Sequence, residues 1–346
     1  VLVNAYAVLD GFVTALRLVL GLMVIGLGVA AVARWRPSLP PEGRKALEDR
    51  CYLLFMVALL LLGLNLASWP LLYLLLQSYV PAWPGVMCVY GVLQIGTGST
   101  GPARILPLLL KALQVAKPVL VFVSGAWLAL YLVNRRTRTA PLTGRVLLVV
   151  VVLGLLAAGD ALTEGAYLLI PKKEEVAAAG CCTEAFDAPD SSRYVPAALL
   201  KDDARPWLYA GYYGANGLMV LALAAYAYRL RGRPTVPPLA PLLLGAAAAF
   251  VVGAVFLVEV AAPLFIRQPD HHCPYDLIPK APESLVGVAL FVWGSFGVGW
   301  AWVTARLGRC EESKGFLPEA VRGVLLMSLY CYLVSLAMIS TELALA

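Results

Sequence analysis

Residues 146–170 read VLLVVVVLGLLAAGDALTEGAYLLI. At about 1.5 Å rise per residue such a run crosses a hydrocarbon core of about 30 Å as one helix. It also carries two carboxylates, Asp160 and Glu164. They are four residues apart, so a helix puts both on one face. An ionisable residue inside an apolar span is costly to bury and is a functional candidate for that reason.

Seven further stretches have the same character, and together the eight cover roughly 7–33, 52–79, 106–133, 145–170, 207–229, 237–266, 284–306 and 317–345. Hydrophobic residues make up 61% of the 346 and charged residues 14%, with a mean hydropathy of +0.80. Soluble domains carry about a quarter charged residues, so most of this chain requires a lipid solvent. The pattern predicts an all-α integral membrane protein of eight transmembrane helices with a small loop cap on one side. The first apolar run carries Asp10 and Arg17 and follows no basic segment, so it reads as a retained helix, not a signal peptide.

The net charge of +6 is not a nucleic-acid signature. The basic residues sit in short loops between spans. One alternate set of loops and helix ends, including Arg34, Arg50, Arg135, Arg145, Arg231 and Arg309, holds 16 Lys and Arg, and the other holds eight. The positive-inside rule puts the richer set in the cytoplasm and both chain ends outside. Composition rich in Ala, Leu, Val and Arg points to a bacterial inner membrane.

Two short motifs recur. Met87-Cys88-Val89-Tyr90 follows the second span and His272-Cys273-Pro274-Tyr275 the sixth. Thr163-Glu164 ends the fourth and Thr341-Glu342 the eighth. The offsets suggest two tandem four-helix halves, 1–170 and 207–346, joined by an extracytoplasmic linker, 171–206, that contains Cys181 and Cys182. Parallel repeats of this kind are a membrane architecture. Such a chain is similar in architecture to quinol-handling membrane subunits of bacterial respiratory complexes. That likeness carries over no residue.

Four cysteines, Cys88, Cys181, Cys182 and Cys273, fall on the outer, oxidising side, where disulfides form. Adjacent cysteines fit ordinary disulfide geometry poorly, so the pairing expected sends one of Cys181 and Cys182 to Cys88 and the other to Cys273. A second reading is copper or zinc held by His271, His272 and Cys273, with Asp270 beside them, since thiolate and imidazole suit those metals. A third is thiol exchange at Cys181-Cys182. His271 and His272 are the only histidines, and they share one loop. This excludes bis-His haem within the bundle, and no Cys-x-x-Cys-His motif exists for covalent haem.

The intramembrane charges are Asp10, Arg17, Lys111, Lys117, Asp160, Glu164, Glu259 and Glu342. Asp10, Lys111 and Glu342 lie near span ends, where snorkelling to the interface is one expectation. Pairing of Arg17 or Lys117 with Asp160 is another. A quinone pocket would use a carboxylate and aromatic residues such as Tyr167, Tyr209, Tyr212 and Tyr213. A transporter would pass protons between Asp160 and Glu164. The function expected is a subunit or partner in a quinone-linked electron-transfer or metal-handling system acting at its outer face. The alternatives are a secondary transporter and a disulfide-stapled structural subunit that docks a periplasmic protein. The partners implied are the lipid bilayer and other membrane or periplasmic subunits.

Overall fold

Long apolar runs without water must satisfy their backbone internally, and the chain does so with helices. The computed structural model describes residues 4–36, 39–83, 86–172, 204–268 and 271–346. Among these there is no strand. Eight helices are long and apolar enough to cross a membrane. The chain divides into two compact units, Val1–Ala179 with Leu307–Ser313, and Gly180–Arg306 with Lys314–Ala346.

The first unit contains α1 (Ala5–Arg34), the short polar α2 (Pro41–Arg50), α3 (Tyr52–Tyr79), the one-and-a-half-turn α4 (Val89–Gln94), α5 (Leu106–Arg135) and α6 (Thr143–Leu169). Helix α1 starts at Asn4, whose side chain accepts from the Ala7 N–H at 2.8 Å, a standard N-cap. Its buried residues are Asp10, Thr14, Arg17, Gly21, Val24, Gly28 and Ala31. Steps of three and four make this a single stripe along one helix face. The stripe packs on α6 through small residues. A Cβ on Gly21 would come within 3.2 Å of the Ala158 backbone, and one on Gly28 within 2.6 Å of Val151. A side chain at either position would press on α6, so glycine favours that approach. Toward the start of α1 the contact relaxes: a Cβ on Gly11 would stand 3.9 Å from Leu168, and one on Gly165 3.9 Å from Thr14.

The connection from α3 to α5 forms part of the expected cap. It buries Trp83, Val86, Cys88, Val89, Val92, Leu93 and Ile95. The glycine-rich stretch beginning at Gly96 is a built turn: Gly96 has φ +96° and lies against the Ala103 carbonyl, where a side chain has no room. Trp83 is buried edge-on against Tyr79 at 5.4 Å. Segment Leu307–Ser313 also belongs to this unit. Arg145 donates to the Leu307 carbonyl at 2.6 Å, and the Glu312 carboxylate accepts from the Arg138 N–H at 2.7 Å and from the Thr139 hydroxyl.

The second unit contains α7 (Arg205–Arg229), α8 (Ala240–Phe256), α9 (Pro282–Leu307) and α10 (Leu317–Leu345). Helix α8 continues through one π turn, Leu257–Ala261, into Ala262–Phe265. The sixth span is therefore interrupted, which its apolar run does not reveal. The core is aromatic. Tyr212 stacks on Phe256 at 4.1 Å, Phe250 on Phe291 at 6.1 Å, and Phe291 meets Tyr332 edge-on at 5.4 Å. Two of its polar contacts are local: Ser335 donates to the Gly287 carbonyl at 2.7 Å, and Ser295 and Tyr332 share a hydrogen bond of 2.8 Å.

Candidate intramembrane charge site

The stripe on α1 brings Arg17 against α6, and the i, i+4 spacing of Asp160 and Glu164 presents both carboxylates to it. Arg17 donates through Nη2 to Asp160 Oδ2, through Nη1 to Glu164 Oε2 at 2.7 Å, and through Nε to Asn65 Oδ1 at 3.1 Å. Lys117, from α5, lies 3.3 Å from Asp160 Oδ2 and 2.9 Å from Glu164 Oε1. The side chains of all four ions are at most 1% exposed. Helix α3 supplies the uncharged partners Asn65 and Ser68, and α5 supplies Ser124. Lys117 donates to Ser68 at 3.4 Å, Asn65 donates to Ser124 at 3.5 Å, and Ser124 donates back to the Leu120 carbonyl at 2.8 Å.

Two cations and two carboxylates cancel. Without that pairing each ion would carry a desolvation cost of several kcal/mol, which good geometry and added hydrogen bonds offset. The expected pairing of Arg17 or Lys117 with Asp160 is present for both cations at once.

Asp10 is the fifth charge-bearing residue of this region. It is 0% exposed, so it does not snorkel to an interface. Glu164, Lys117, Arg17 and Asp160 are its electrostatic neighbours. Yet among the described residues neither carboxylate oxygen of Asp10 has a hydrogen-bond partner. Tyr79 and Tyr167, both about 1% exposed, are also within its electrostatic reach. Thr14, one turn further along the same face of α1, is 5% exposed, and its hydroxyl too has no partner among the described residues.

The remaining candidates fall elsewhere. Lys111 is exposed at the surface of α5. Glu259 is half-buried in the π turn, and Glu342 is half-buried near the end of α10. Of the aromatic residues considered as ring clamps, Tyr167 is beside the cluster. Tyr209 and Tyr212 pack on Phe256, and Tyr213 bonds Ser340 at 3.0 Å. Asn65, Ser68, Ser124 and Thr14 were not singled out from the sequence. Their signal was uncharged polar residues inside spans, with Asn65 the clearest.

Cys88 and Cys273 are buried. Cys181 and Cys182, their expected disulfide partners, lie outside the described residues, as does Asp270. Among the described residues, no three metal-binding donors within 4.8 Å of one another include His271 or His272. Among the described residues, His271, His272 and Cys273 thus do not converge as one three-donor set. His271 Nε2 instead lies 3.1 Å from Asp276 Oδ2, an oxygen also 3.1 Å from Lys280 Nζ.

What this arrangement can do follows from its charge count. A proton taken by Asp160 or Glu164 leaves a buried cation without its counter-ion. Asp10 is the one carboxyl whose charge can change without stranding Arg17 or Lys117. Compared with family models, with curated proteins and with solved structures, the chain matches none.

Proposed function

We propose that the protein is a proton-exchanging subunit of a membrane electron-transfer system, with Asp10 as the exchanging group. One observation carries this reading: a fully buried carboxyl with both oxygens unpartnered, beside a pair of cations already neutralised by two other carboxylates. The cluster then serves as a fixed electrostatic floor, and Asp10 as its movable charge. A secondary transporter that passes protons between Asp160 and Glu164 is less well supported, since both already serve as counter-ions.

The cellular setting belongs to the same proposal. The membrane is a bacterial inner membrane with both chain ends outside, which puts Asp10 in its outer half. Cys88, Cys181, Cys182 and Cys273 form disulfides on that side, and the cap docks a further subunit that carries the electrons. Copper or zinc handling would need the outer loops to gather donors around His271 and His272.

Difference infrared spectroscopy on the protein in nanodiscs tests the reading. A carboxyl stretch that appears and disappears with pH is expected in the parent and in Glu259→Gln, and is absent in Asp10→Asn. A titrating band that persists unchanged in Asp10→Asn overturns it.

A further inference from the structure

Asp10 is 0% exposed, so a proton reaches it only by passing or displacing its neighbours. Deeper in the bundle lie Arg17, Lys117, Asp160 and Glu164, already paired with one another. Sideways, the apolar groove between α1 and α6 does not have Asp10 in its lining. The remaining direction is the end of the unit where α1 begins and α3 and α6 finish. There Asn4 donates to Ser78 at 2.9 Å and ties the start of α1 to the end of α3. Tyr79 closes α3, and Tyr167 lies in the last turn of α6. Both are about 1% exposed and within electrostatic reach of Asp10. Asp10 itself stands about 9 Å beyond Asn4 along α1.

Lys172 covers these two rings. Its ammonium stands 4.2 Å from the centre of the Tyr167 ring and 6.0 Å from that of Tyr79. It also donates to the carbonyl of Tyr167 at 2.6 Å and to that of Ile170 at 3.4 Å, groups left open by the end of the helix. Lys172 lies beyond α6 and beyond the span, so its side chain can leave without unwinding a helix. Two opposed effects act on it there. Ring faces and helix-end carbonyls attract a cation, while burial penalises one. Burial wins, and the pKa of Lys172 falls from 10.5 to about 8. Among the described residues, the titratable groups that face it are Tyr167 from α6 and Tyr79 from α3, and no carboxylate offsets its loss of water.

We infer that Lys172 is the gate over Asp10: packed on Tyr167 and Tyr79 its side chain closes the proton route from the helix ends, and swinging into water it opens that route. The inference rests on the reading of Asp10 as a proton exchanger and names the residue that regulates it. The packed position holds a proton on Lys172 less tightly than the hydrated position does. Protonation therefore drives the side chain out, and deprotonation seals the route. The two acid constants differ by about 300-fold, which is the most by which protonation can favour opening. That bias is complete below pH about 8 and disappears as pH rises from there to 10.5. With the side chain out, water enters over Tyr167 and Tyr79, whose hydroxyls both donate and accept hydrogen bonds. A proton leaving Asp10 then breaks its O–H bond there and forms one on water.

The test follows hydrogen–deuterium exchange of the Asp10 carboxyl band by infrared spectroscopy, in the full chain in nanodiscs and below pH about 8. Lys172→Met keeps the length of the plug and loses its charge, so the route stays sealed and exchange slows by about tenfold or more. Lys172→Arg keeps a cation and exchanges at the parent's rate or faster. Lys111→Met removes an exposed cation of the same unit and leaves the rate unchanged. A residue that merely capped the helix would give the opposite sign, with Lys172→Met exchanging as fast as the parent or faster. That result overturns the inference, as does a slowing in Lys172→Arg as large as in Lys172→Met. If Lys172→Met fails to fold, Lys172→Gln decides by the same criterion. When the gate fails with the Asp10 band present in the parent, the proton-exchange reading stands; when the band is missing from the parent, both fall.

Discussion

The two units are each built on four long helices, and they spend their interiors differently. The first buries Arg17, Lys117, Asp160, Glu164 and Asp10 around Asn65 and Ser124. The second buries Tyr212, Phe256 and Tyr332, with Ser335 bonded to the Gly287 carbonyl and Tyr332 to Ser295. The recurring Thr-Glu pair marks the divergence. Glu164 is held by two cations, whereas Glu342 lies half-buried in a unit whose spans contain no Lys or Arg away from their ends. The two interiors thus have different chemistry. One is an electrostatic device in which every charge depends on the others. The other is an aromatic core with one π turn.

Removing a single ion should expose this difference most strongly. Arg17→Met leaves Asp160 and Glu164 to Lys117 alone and should cost about 3–5 kcal/mol, as breaking a buried ion network does. Unfolding in detergent measures it, and Arg17→Met with Asp160→Leu should recover much of the loss. A cost below about 1 kcal/mol would mean that the network adds little stability and would erase the contrast. In the second unit, Phe256→Ala removes a ring stacked on Tyr212 and should cost about 3 kcal/mol by leaving a cavity. It should leave the Asp10 infrared band untouched; a change in that band would show the two interiors to be coupled.

The smallest effect concerns the end of α6. Lys172 donates to the Tyr167 carbonyl at 2.6 Å and sits 4.2 Å from the centre of the Tyr167 ring. Burial lowers its pKa from 10.5 to about 8. Between those values the unfolded chain holds a proton that the folded chain has released, so stability contributed by this group rises with pH. Relative to Lys172→Met, the parent should therefore gain in Tm as pH increases from about 8 to about 10. An unchanging difference would show that Lys172 is not buried against the tyrosines.

All eight spans were legible because the bilayer demands long apolar runs, and their ends agree with the structure to within a few residues. Helix α2 was not, since a ten-residue polar helix has no apolar run to announce it. The π turn was also hidden, because Val258 and Val260 suit any helical backbone. Every ion of the cluster was named from the sequence, but Lys111, Glu259 and Glu342 were named with them. An isolated charge in an apolar run looks the same whether its helix face turns inward or outward.

The amino-acid sequence by itself determined the solvent, the helices and the list of charges, because hydrophobic length and the cost of burying ions are local properties. Only the tertiary structure decided which charges meet. That depends on Gly21, Gly28 and Gly154 drawing α1 onto α6, and on α5 delivering Lys117 to the same point. It also decided that Asp10, near a helix end, is buried without a partner, since its environment is made by residues up to 154 positions away in the chain, at Glu164.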